Sequence, residues 1–154
     1  MGRCVDGLSK KWRGTETILL VDDEDMIIDV GKQMLSTLGY KVLAAKGGRE
    51  AIEIISKTHN LPSSPDLVIL DMIMPDISGG ETYDRLKAIN PDIKVLLSSG
   101  YSINSQAKKI LDRGCDGFIQ KPFTMKQLSR KSREILDKGW VLNRKYYRHN
   151  ECRT

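Results

Sequence analysis

Short apolar runs alternate with amphipathic segments along the whole middle of the chain, and this alternation limits the folds open to it. The runs are Thr17–Val21, Lys41–Ala45, Asp66–Leu70, Ile93–Ser98 and Gly117–Gln120. Short, nearly continuous apolar runs are typical of buried parallel strands. The order strand, helix, strand predicts an α/β protein with a doubly wound parallel sheet. Its five units favour a flavodoxin-like (βα)5 fold with strand order 2-1-3-4-5.

The segments between the runs predict five helices. The first covers Asp25–Leu38, the second opens at Gly47-Gly48, the third precedes Asn90-Pro91, and the last two cover Ser102–Arg113 and Thr124–Lys138. In the first helix, apolar side chains recur at helical spacing and predict a single buried face. Its members are Ile27, Val30, Met34, Leu35 and Leu38.

Charged side chains follow three of the apolar runs at the point where each run ends. Asp22 and Asp23 follow the first run, Asp71 the third and Lys121 the fifth. Because sites in open α/β sheets form at the carboxyl ends of the strands, we expect these four side chains to converge on one pocket. Three clustered carboxylates repel one another unless a cation joins them, and their hard oxygen atoms favour Mg²⁺ or Mn²⁺.

Lys121 makes the pocket suited to phosphoryl chemistry. A carboxylate that accepts a phosphoryl group becomes an acyl phosphate with about two negative charges, which a metal ion and an ammonium group can neutralise. Ser98 or Ser99, at the end of the fourth run, can donate a hydroxyl hydrogen bond to that phosphate. Only one of them can face the pocket, because side chains alternate along a strand.

A simpler interpretation treats each of these residues alone. A single Asp at a strand end is usually a helix N-cap, and a Lys-Pro pair after a strand is usually a turn. Capping does not explain four such residues at sequential strand ends, and no cap needs Lys121.

Composition indicates one folded domain with basic ends. The chain has 154 residues, which suits a single domain. Of the net charge of +5, residues 1–16 carry +2 and residues 140–154 carry +3, which leaves residues 17–139 neutral. We predict a flexible leader at 1–16, the domain at 17–139 and a basic C-terminal tail at 140–154. The sequence leaves open whether the tail extends the last helix, docks on a partner or is disordered.

Several classes of protein are disfavoured by the same composition. No apolar run reaches the roughly 18 residues that span a bilayer, and the N-terminus lacks the apolar stretch of a signal peptide. We therefore predict a cytoplasmic protein without membrane contact. The neutral interval 17–139 argues against direct nucleic-acid binding. The cysteines, Cys4, Cys115 and Cys152, are too sparse for a disulfide framework or a zinc site, and we expect Cys115 to pack in the core.

Four segments of the chain resemble the receiver domain of two-component response regulators. They are Ile18–Glu24, Asp71–Asp76 with Gly79, Val95–Gly100 and Phe118–Phe123, and the resemblance covers about residues 16–139. Their order, spacing and strand context agree with the chemotaxis-regulator type of receiver. Gly14–Glu24 and Lys121–Met125 also resemble receivers that are fused behind sensor kinase domains in hybrid histidine kinases.

The resemblance implies a role for each acidic residue of the pocket. Asp71 is implied to be the phosphoacceptor. Asp22 and Asp23 resemble the acidic pair that holds Mg²⁺, with Asp71 and the backbone carbonyl of Ile73 as further ligands.

The resemblance also implies a switch around the phosphate. Lys121 resembles the phosphate-binding lysine, and its bond to Pro122 is implied to be cis. Ser99 resembles the hydroxyl residue that turns toward the phosphate, which leaves Ser98 facing the core. Phe118 resembles the aromatic residue that moves inward when that hydroxyl turns.

The function that the resemblance implies is a phosphorylation-activated signalling domain. A sensor histidine kinase or a histidine phosphotransfer protein would supply the phosphoryl group. The face made by the fourth helix, fifth strand and fifth helix would present the change to a downstream effector or to a second copy. Such a domain assists its own phosphorylation and dephosphorylation but turns over no separate substrate. The chain can be a free regulator or a receiver fragment of a hybrid histidine kinase.

Two other functions use a similar set of residues. A phosphatase-like enzyme with an aspartyl phosphate intermediate would want a second Asp two residues after Asp71, where Ile73 stands. A nucleotide-binding protein would need a glycine-rich first turn, and the acidic run Asp22–Asp25 occupies that turn instead.

Two bulky residues are predicted to flank the route of attacking water. Ile73 stands two residues after Asp71, and Tyr101 stands two residues after Ser99. Because both side chains obstruct access, we expect a long-lived phosphoryl group.

Overall fold

The computed structural model describes residues 13–138, which form a five-stranded parallel sheet and five helices. The strands are β1 (Thr17–Val21), β2 (Lys41–Ala45), β3 (Leu67–Asp71), β4 (Lys94–Ser99) and β5 (Gly117–Gln120). The helices are α1 (Asp25–Thr37), α2 (Gly48–Thr58), α3 (Gly79–Ile89), α4 (Ser105–Asp112) and α5 (Met125–Leu136). The strand order β2-β1-β3-β4-β5 confirms the predicted fold. The predicted tail and residues 1–12 of the predicted leader lie outside the described residues.

Two apolar clusters, one on each face of the sheet, explain why the central strands are apolar without alternation. Leu19 and Val21 of β1 belong to the cluster under α2, α3 and α4, whereas Ile18 and Leu20 belong to the cluster under α1 and α5. Successive side chains point to opposite faces, so a strand that is covered on both faces must be apolar at every position. Cys115, which we expected in the core, is half-buried against the first cluster.

The structure corrects the predicted inner face of α1. Val30 is 44% exposed, while the helix buries Ile28, Gly31 and Leu35. Gly31 allows the close approach, since a Cβ atom there would lie 2.6 Å from Leu20 Cδ2 on β1. Glycine carries no apolar signal, so the sequence pattern placed Val30 on the inner face in its stead, while the predicted Leu35 and Leu38 are buried.

The start of α4 also differs from the prediction of Ser102–Arg113. Asn104 has an extended backbone, and its side-chain oxygen accepts the Ala107 N–H at 2.9 Å. This N-cap starts the helix at Ser105 and leaves residues 101–103 to the loop after β4. The two central strands that carry site residues each lie one residue later than predicted, so β3 ends at Asp71 and β4 ends at Ser99.

The last residues of the predicted leader contact the body of the domain. Arg133 of α5 binds Glu16 with both guanidinium branches, at 2.8 and 3.0 Å. The Gly14 N–H donates to the Leu38 carbonyl at 3.1 Å, and a Cβ atom at Gly14 would lie 2.3 Å from the ring of Tyr40. Among the described residues, no helix has the length and apolar character needed to cross a membrane.

The burial of Gly31 and the exposure of Val30 can be tested by substitution. Gly31→Val should lower the free energy of unfolding by about 1–3 kcal/mol, because the added atoms overpack the contact with Leu20. Val30→Ala should change it by less than about 0.5 kcal/mol, because that side chain is largely exposed. Urea unfolding followed by circular dichroism gives both values. A larger loss in Val30→Ala than in Gly31→Val would contradict the observed face.

Candidate functional site

The carboxyl ends of the strands bring the four predicted charged residues together at one cavity. Asp71 and Ser99 are the last residues of β3 and β4, which are neighbours, while Asp22 and Lys121 directly follow β1 and β5. The cavity has a volume of about 640 Å³. Its walls are Asp23, Glu24, Ile27, Asp71, Ile73, Ser99, Gly100, Tyr101, Lys121 and Pro122. The predicted convergence of the strand-end residues is therefore observed.

Three carboxylates are close enough to share one cation. Asp22, Asp23 and Asp71 each offer an oxygen atom, and these three atoms lie within 4.8 Å of one another. Asp22 and Asp71 are only 1% and 3% exposed, whereas Asp23 faces solvent. Asp22 also accepts the Glu24 N–H at 2.9 Å, which fixes the orientation of its carboxylate. This set of hard oxygen donors, open to solvent on one side, fits Mg²⁺ or Mn²⁺.

Lys121 is the positive partner of these carboxylates. Its Nζ atom lies 2.9 Å from Asp22 Oδ2 and 3.3 Å from Asp71 Oδ1. Glu24 is a third neighbour at 3.9 Å. Burial by itself would lower the pKa of Lys121, but the hydrogen bond and charge of Asp22 and of Asp71 outweigh it and raise that pKa. The ammonium group therefore stays charged. The Lys121-Pro122 bond is cis, as predicted.

Asp71 is a carboxylate in an unfavourable environment. Its burial raises its pKa to about 6, and the negative charge of Asp22 acts in the same direction. Lys121 opposes both effects through its charge and its hydrogen bond. At neutral pH, most Asp71 side chains are ionised, but the ionised form is costly, and a further positive charge in the cavity would stabilise it.

The structure separates the two serines that the sequence left as alternatives. Ser99 lines the cavity, and its Oγ accepts the Tyr101 N–H at 3.1 Å. Ser98 is buried, pairs in register with Asp71 and is not among the residues lining the cavity. This arrangement agrees with the alternation of side chains along β4.

Phe118 lies outside the cavity that holds the other predicted site residues. It pairs with Leu97 between β4 and β5 and packs, half-buried, against the cluster under α2, α3 and α4. It also lines a second depression, of about 420 Å³, between β5 and α5. The other walls of that depression are Ile119, Gln120, Thr124, Lys126, Gln127, Arg130 and Lys131.

The mouth of the cavity carries the two bulky side chains that were predicted to flank the route of water. It also carries one acidic residue, Glu24, that was not predicted as a site residue. Ile73 is 58% exposed and Tyr101 is 65% exposed, and both line the cavity. Glu24 also lines it and contacts Lys121. Its signal was present in the sequence, since Glu24 continues the acidic run that begins at Asp22.

The chain is similar in sequence to several known proteins. The family model described as "Response regulator receiver domain" matches residues 18–133. A sensor kinase, CckA of Brucella abortus, is 37% identical over 125 residues, which cover 81% of this chain and 13% of that protein. The response regulator MprA of Mycolicibacterium vanbaalenii is 33% identical over 119 residues, covering 77% of this chain and 49% of that protein.

A solved structure shares the fold over most of the chain. A CheY-like receiver domain protein of Methanospirillum hungatei JF-1 superposes with a TM-score of 0.72 and 30% identity. The match covers 81% of this chain and 96% of that one. By contrast, this chain spans half or less of the length of the two curated relatives above.

The raised pKa of Asp71 predicts a stability effect that depends on pH. A carboxyl group whose pKa is about 6 when folded and about 3.9 when unfolded binds its proton more tightly in the folded state. Its ionisation therefore costs stability above pH 6, and this cost disappears as the pH falls through 6 toward 4. Asp71→Asn should stabilise the metal-free protein by on the order of 1–3 kcal/mol above about pH 7.

Urea unfolding in the presence of a chelator, at pH 8 and at pH 4.5, measures this gain. The exposed Asp92→Asn is the matched control and should show little change at either pH. A gain in Asp71→Asn that is equal at the two pH values would show that ionisation of Asp71 is not its cause.

Proposed function

Because this chain belongs to the response regulator receiver domain family, we propose that it accepts a phosphoryl group on Asp71 and signals through the resulting change of shape. The observation that supports this most directly is the surroundings of Asp71. It is a buried carboxylate with Lys121 Nζ at 3.3 Å and two further carboxylates within reach of a shared cation. Few other tasks require an ionised nucleophile to be placed between a fixed ammonium group and a cation site.

The proposed phosphodonor is a phosphohistidine on a sensor histidine kinase or a histidine phosphotransfer protein. An Asp71 oxygen atom attacks the phosphorus atom, the phosphorus–nitrogen bond breaks, and its electron pair leaves with the imidazole nitrogen. The product is a mixed anhydride on Asp71. Lys121 supplies a positive charge beside the new phosphoryl oxygens and holds its proton throughout, because its pKa is raised. The similarity to a sensor kinase supports a donor of this kind.

Four groups would hold the proposed Mg²⁺, for which Mn²⁺ is a chemical substitute. They are the carboxylates of Asp22, Asp23 and Asp71 and the backbone carbonyl of Ile73. When bound, the ion neutralises negative charge on the phosphoryl oxygens. Asp22 is held in place by its hydrogen bond from Glu24, while Asp23 can adjust because its side chain is exposed.

The proposed switch begins with Ser99. Its hydroxyl oxygen accepts the Tyr101 N–H, so the side chain lies beside Asp71 but is engaged with the loop after β4. A phosphoryl group on Asp71 gives the hydroxyl a stronger, charged acceptor. We propose that Ser99 turns toward it and that Phe118 moves inward. Phosphorylation would then shift a two-state equilibrium that a downstream effector or a second copy reads on the α4, β5 and α5 face.

Replacement of the proposed phosphoacceptor should abolish phosphorylation. Asp71→Asn should accept no phosphoryl group from a small acyl phosphate in the presence of Mg²⁺, because an amide is not a nucleophile of this kind. It should also show no spectral or hydrodynamic response to beryllofluoride. Intact-mass spectrometry and nuclear magnetic resonance give the two measurements, with Asp92→Asn as a control that should behave as wild type. A wild-type response in Asp71→Asn would refute the assignment.

The lifetime of the phosphoryl group should depend on the side chains at the cavity mouth. Ile73→Asn and Tyr101→Ala should each shorten the dephosphorylation half-time several-fold, because they open the route of water to Asp71. Ile103→Ala is a matched control, since Ile103 is 54% exposed on the same loop as Tyr101 but is not among the residues lining the cavity. The half-time follows from loss of the phosphorylated mass over time. Unchanged half-times in both cavity variants would show that neither side chain obstructs water.

A further inference from the structure

The N-terminus of α2 is capped by a residue from a distant loop. The N-cap residue is Gly47, which has no side chain to accept the first N–H groups of the helix. Asp76 takes over this role: its Oδ1 accepts the Gly48 N–H at 3.2 Å, and its Oδ2 accepts the Arg49 N–H at 3.0 Å. The N–H groups of Arg49, Ile77 and Gly48 outweigh the slight burial of the carboxylate and hold the pKa of Asp76 below its usual range.

The two glycines at the start of α2, Gly47 and Gly48, allow the loop that carries Asp76 to lie close to the helix. Gly47 has an extended backbone that any residue can adopt, with φ −170° and ψ 175°. A Cβ atom there would lie 2.7 Å from Asp76 Oδ2. A Cβ atom at Gly48 would lie 2.2 Å from Thr82 Oγ1 and 2.5 Å from Ile77 Cγ1. Glycine is therefore needed here for space, because the loop that carries Asp76 and Ile77 is packed directly on the first turn of α2.

That loop, Met72–Ser78, begins immediately after Asp71. Its base is closed by backbone hydrogen bonds, from the Met72 N–H to the Ser98 carbonyl at 3.0 Å and from the Gly79 N–H to the Met72 carbonyl at 2.9 Å. Its far end is fixed to α2 by Asp76 and by the buried side chain of Ile77. Ile73 lies between these two fixed ends. Its side chain is exposed and lines the cavity, so its backbone is held by the buried Met72 and Met74 on either side and by the hydrogen bond from its N–H to Asp71 Oδ1 at 3.5 Å.

We propose that Asp76 is a positioning residue for the cation site, because its cap on α2 helps to hold the loop 72–78, which carries the proposed ligand Ile73 at the wall of the cavity. This inference rests on the proposed function, in which Asp22, Asp23, Asp71 and Ile73 hold Mg²⁺. Residues that orient metal ligands typically affect metal affinity by about 10–100-fold when they are replaced. Loss of the cap removes the polar attachment of the far end and leaves the apolar contact of Ile77, so the backbone at Ile73 is held less firmly and its ordering on cation binding costs binding free energy.

The two roles of Asp76, capping a helix and fixing a loop, can be separated by moving the cap to α2 itself. Asp76→Ala removes both roles. Adding Gly47→Ser to Asp76→Ala restores an N-cap to α2 from its own chain, since the backbone at Gly47 is extended and the three atoms nearest to a Cβ there all belong to the Asp76 carboxylate. The double variant therefore has a capped α2 and a loop that has lost its hydrogen bonds to α2 and keeps the apolar contact of Ile77.

The experiment measures Mg²⁺ affinity by isothermal titration calorimetry and thermal stability by circular dichroism, on the full chain. Asp76→Ala should bind Mg²⁺ about tenfold more weakly than wild type and unfold a few degrees lower. The double variant should regain the lost thermal stability but keep the weak Mg²⁺ binding. Asp76→Asn, which keeps one acceptor oxygen, should lie between wild type and Asp76→Ala in affinity.

Asn104→Ala is the control for helix capping as such. It removes the side-chain cap of α4, so it should lower the melting temperature similarly and leave Mg²⁺ affinity unchanged. Wild-type Mg²⁺ affinity in Asp76→Ala, or its recovery in the double variant, would overturn the role proposed for Asp76. If wild type binds no Mg²⁺, or if Asp22→Asn and Asp23→Asn bind it as wild type does, the proposed cation site itself is wrong. The two failures are thus distinguishable.

Discussion

The structure is organised around two buried carboxylates that share one ammonium group. Asp22 and Asp71 are almost fully buried, and Lys121 lies within hydrogen-bond distance of both. One positive charge cannot balance two negative ones, and the solvent-exposed Asp23 adds a third. The cavity therefore carries an excess of negative charge, which a bound cation or the protonation of a carboxylate would neutralise. Burial of Asp71, together with the negative charge of Asp22, raises the pKa of Asp71 to about 6.

The parallel sheet keeps these like charges together in spite of their repulsion. β1 and β3 are apolar on both faces, and each is hydrogen-bonded to neighbours on both sides. The strands therefore cannot turn or slide to separate Asp22 from Asp71 without losing buried apolar contacts. Burial of the strands stabilises the domain and also fixes the unfavourable pair, so the packing that makes the fold stable also holds two like charges together.

The sequence predicted the features that follow from the order and direction of the strands and missed those that depend on how closely individual side chains pack. Strand order and the convergence of Asp22, Asp71 and Lys121 follow from apolar runs and from what stands at their ends. The prediction for the inner face of α1 was right at Leu35 and Leu38 and wrong at Val30, because Gly31, which has no side chain, takes the buried position beside β1. Asp76 carries no local signal for its contact with α2, since it lies in a loop 28 residues away from Gly48.

The side chain of Arg133 joins the two ends of the described domain. Arg133 joins Glu16, just before β1, to Asp137, just after α5, and it also contacts the hydroxyl group of Tyr40. The first and last described parts of the chain thus meet at the end of the sheet opposite to the cavity. Backbone hydrogen bonds from Lys41 to Glu16 and from Gly14 to Leu38 hold the same edge together. Both ends of the described chain therefore join the domain on the side of the sheet away from Asp71, which leaves the cavity mouth clear of them.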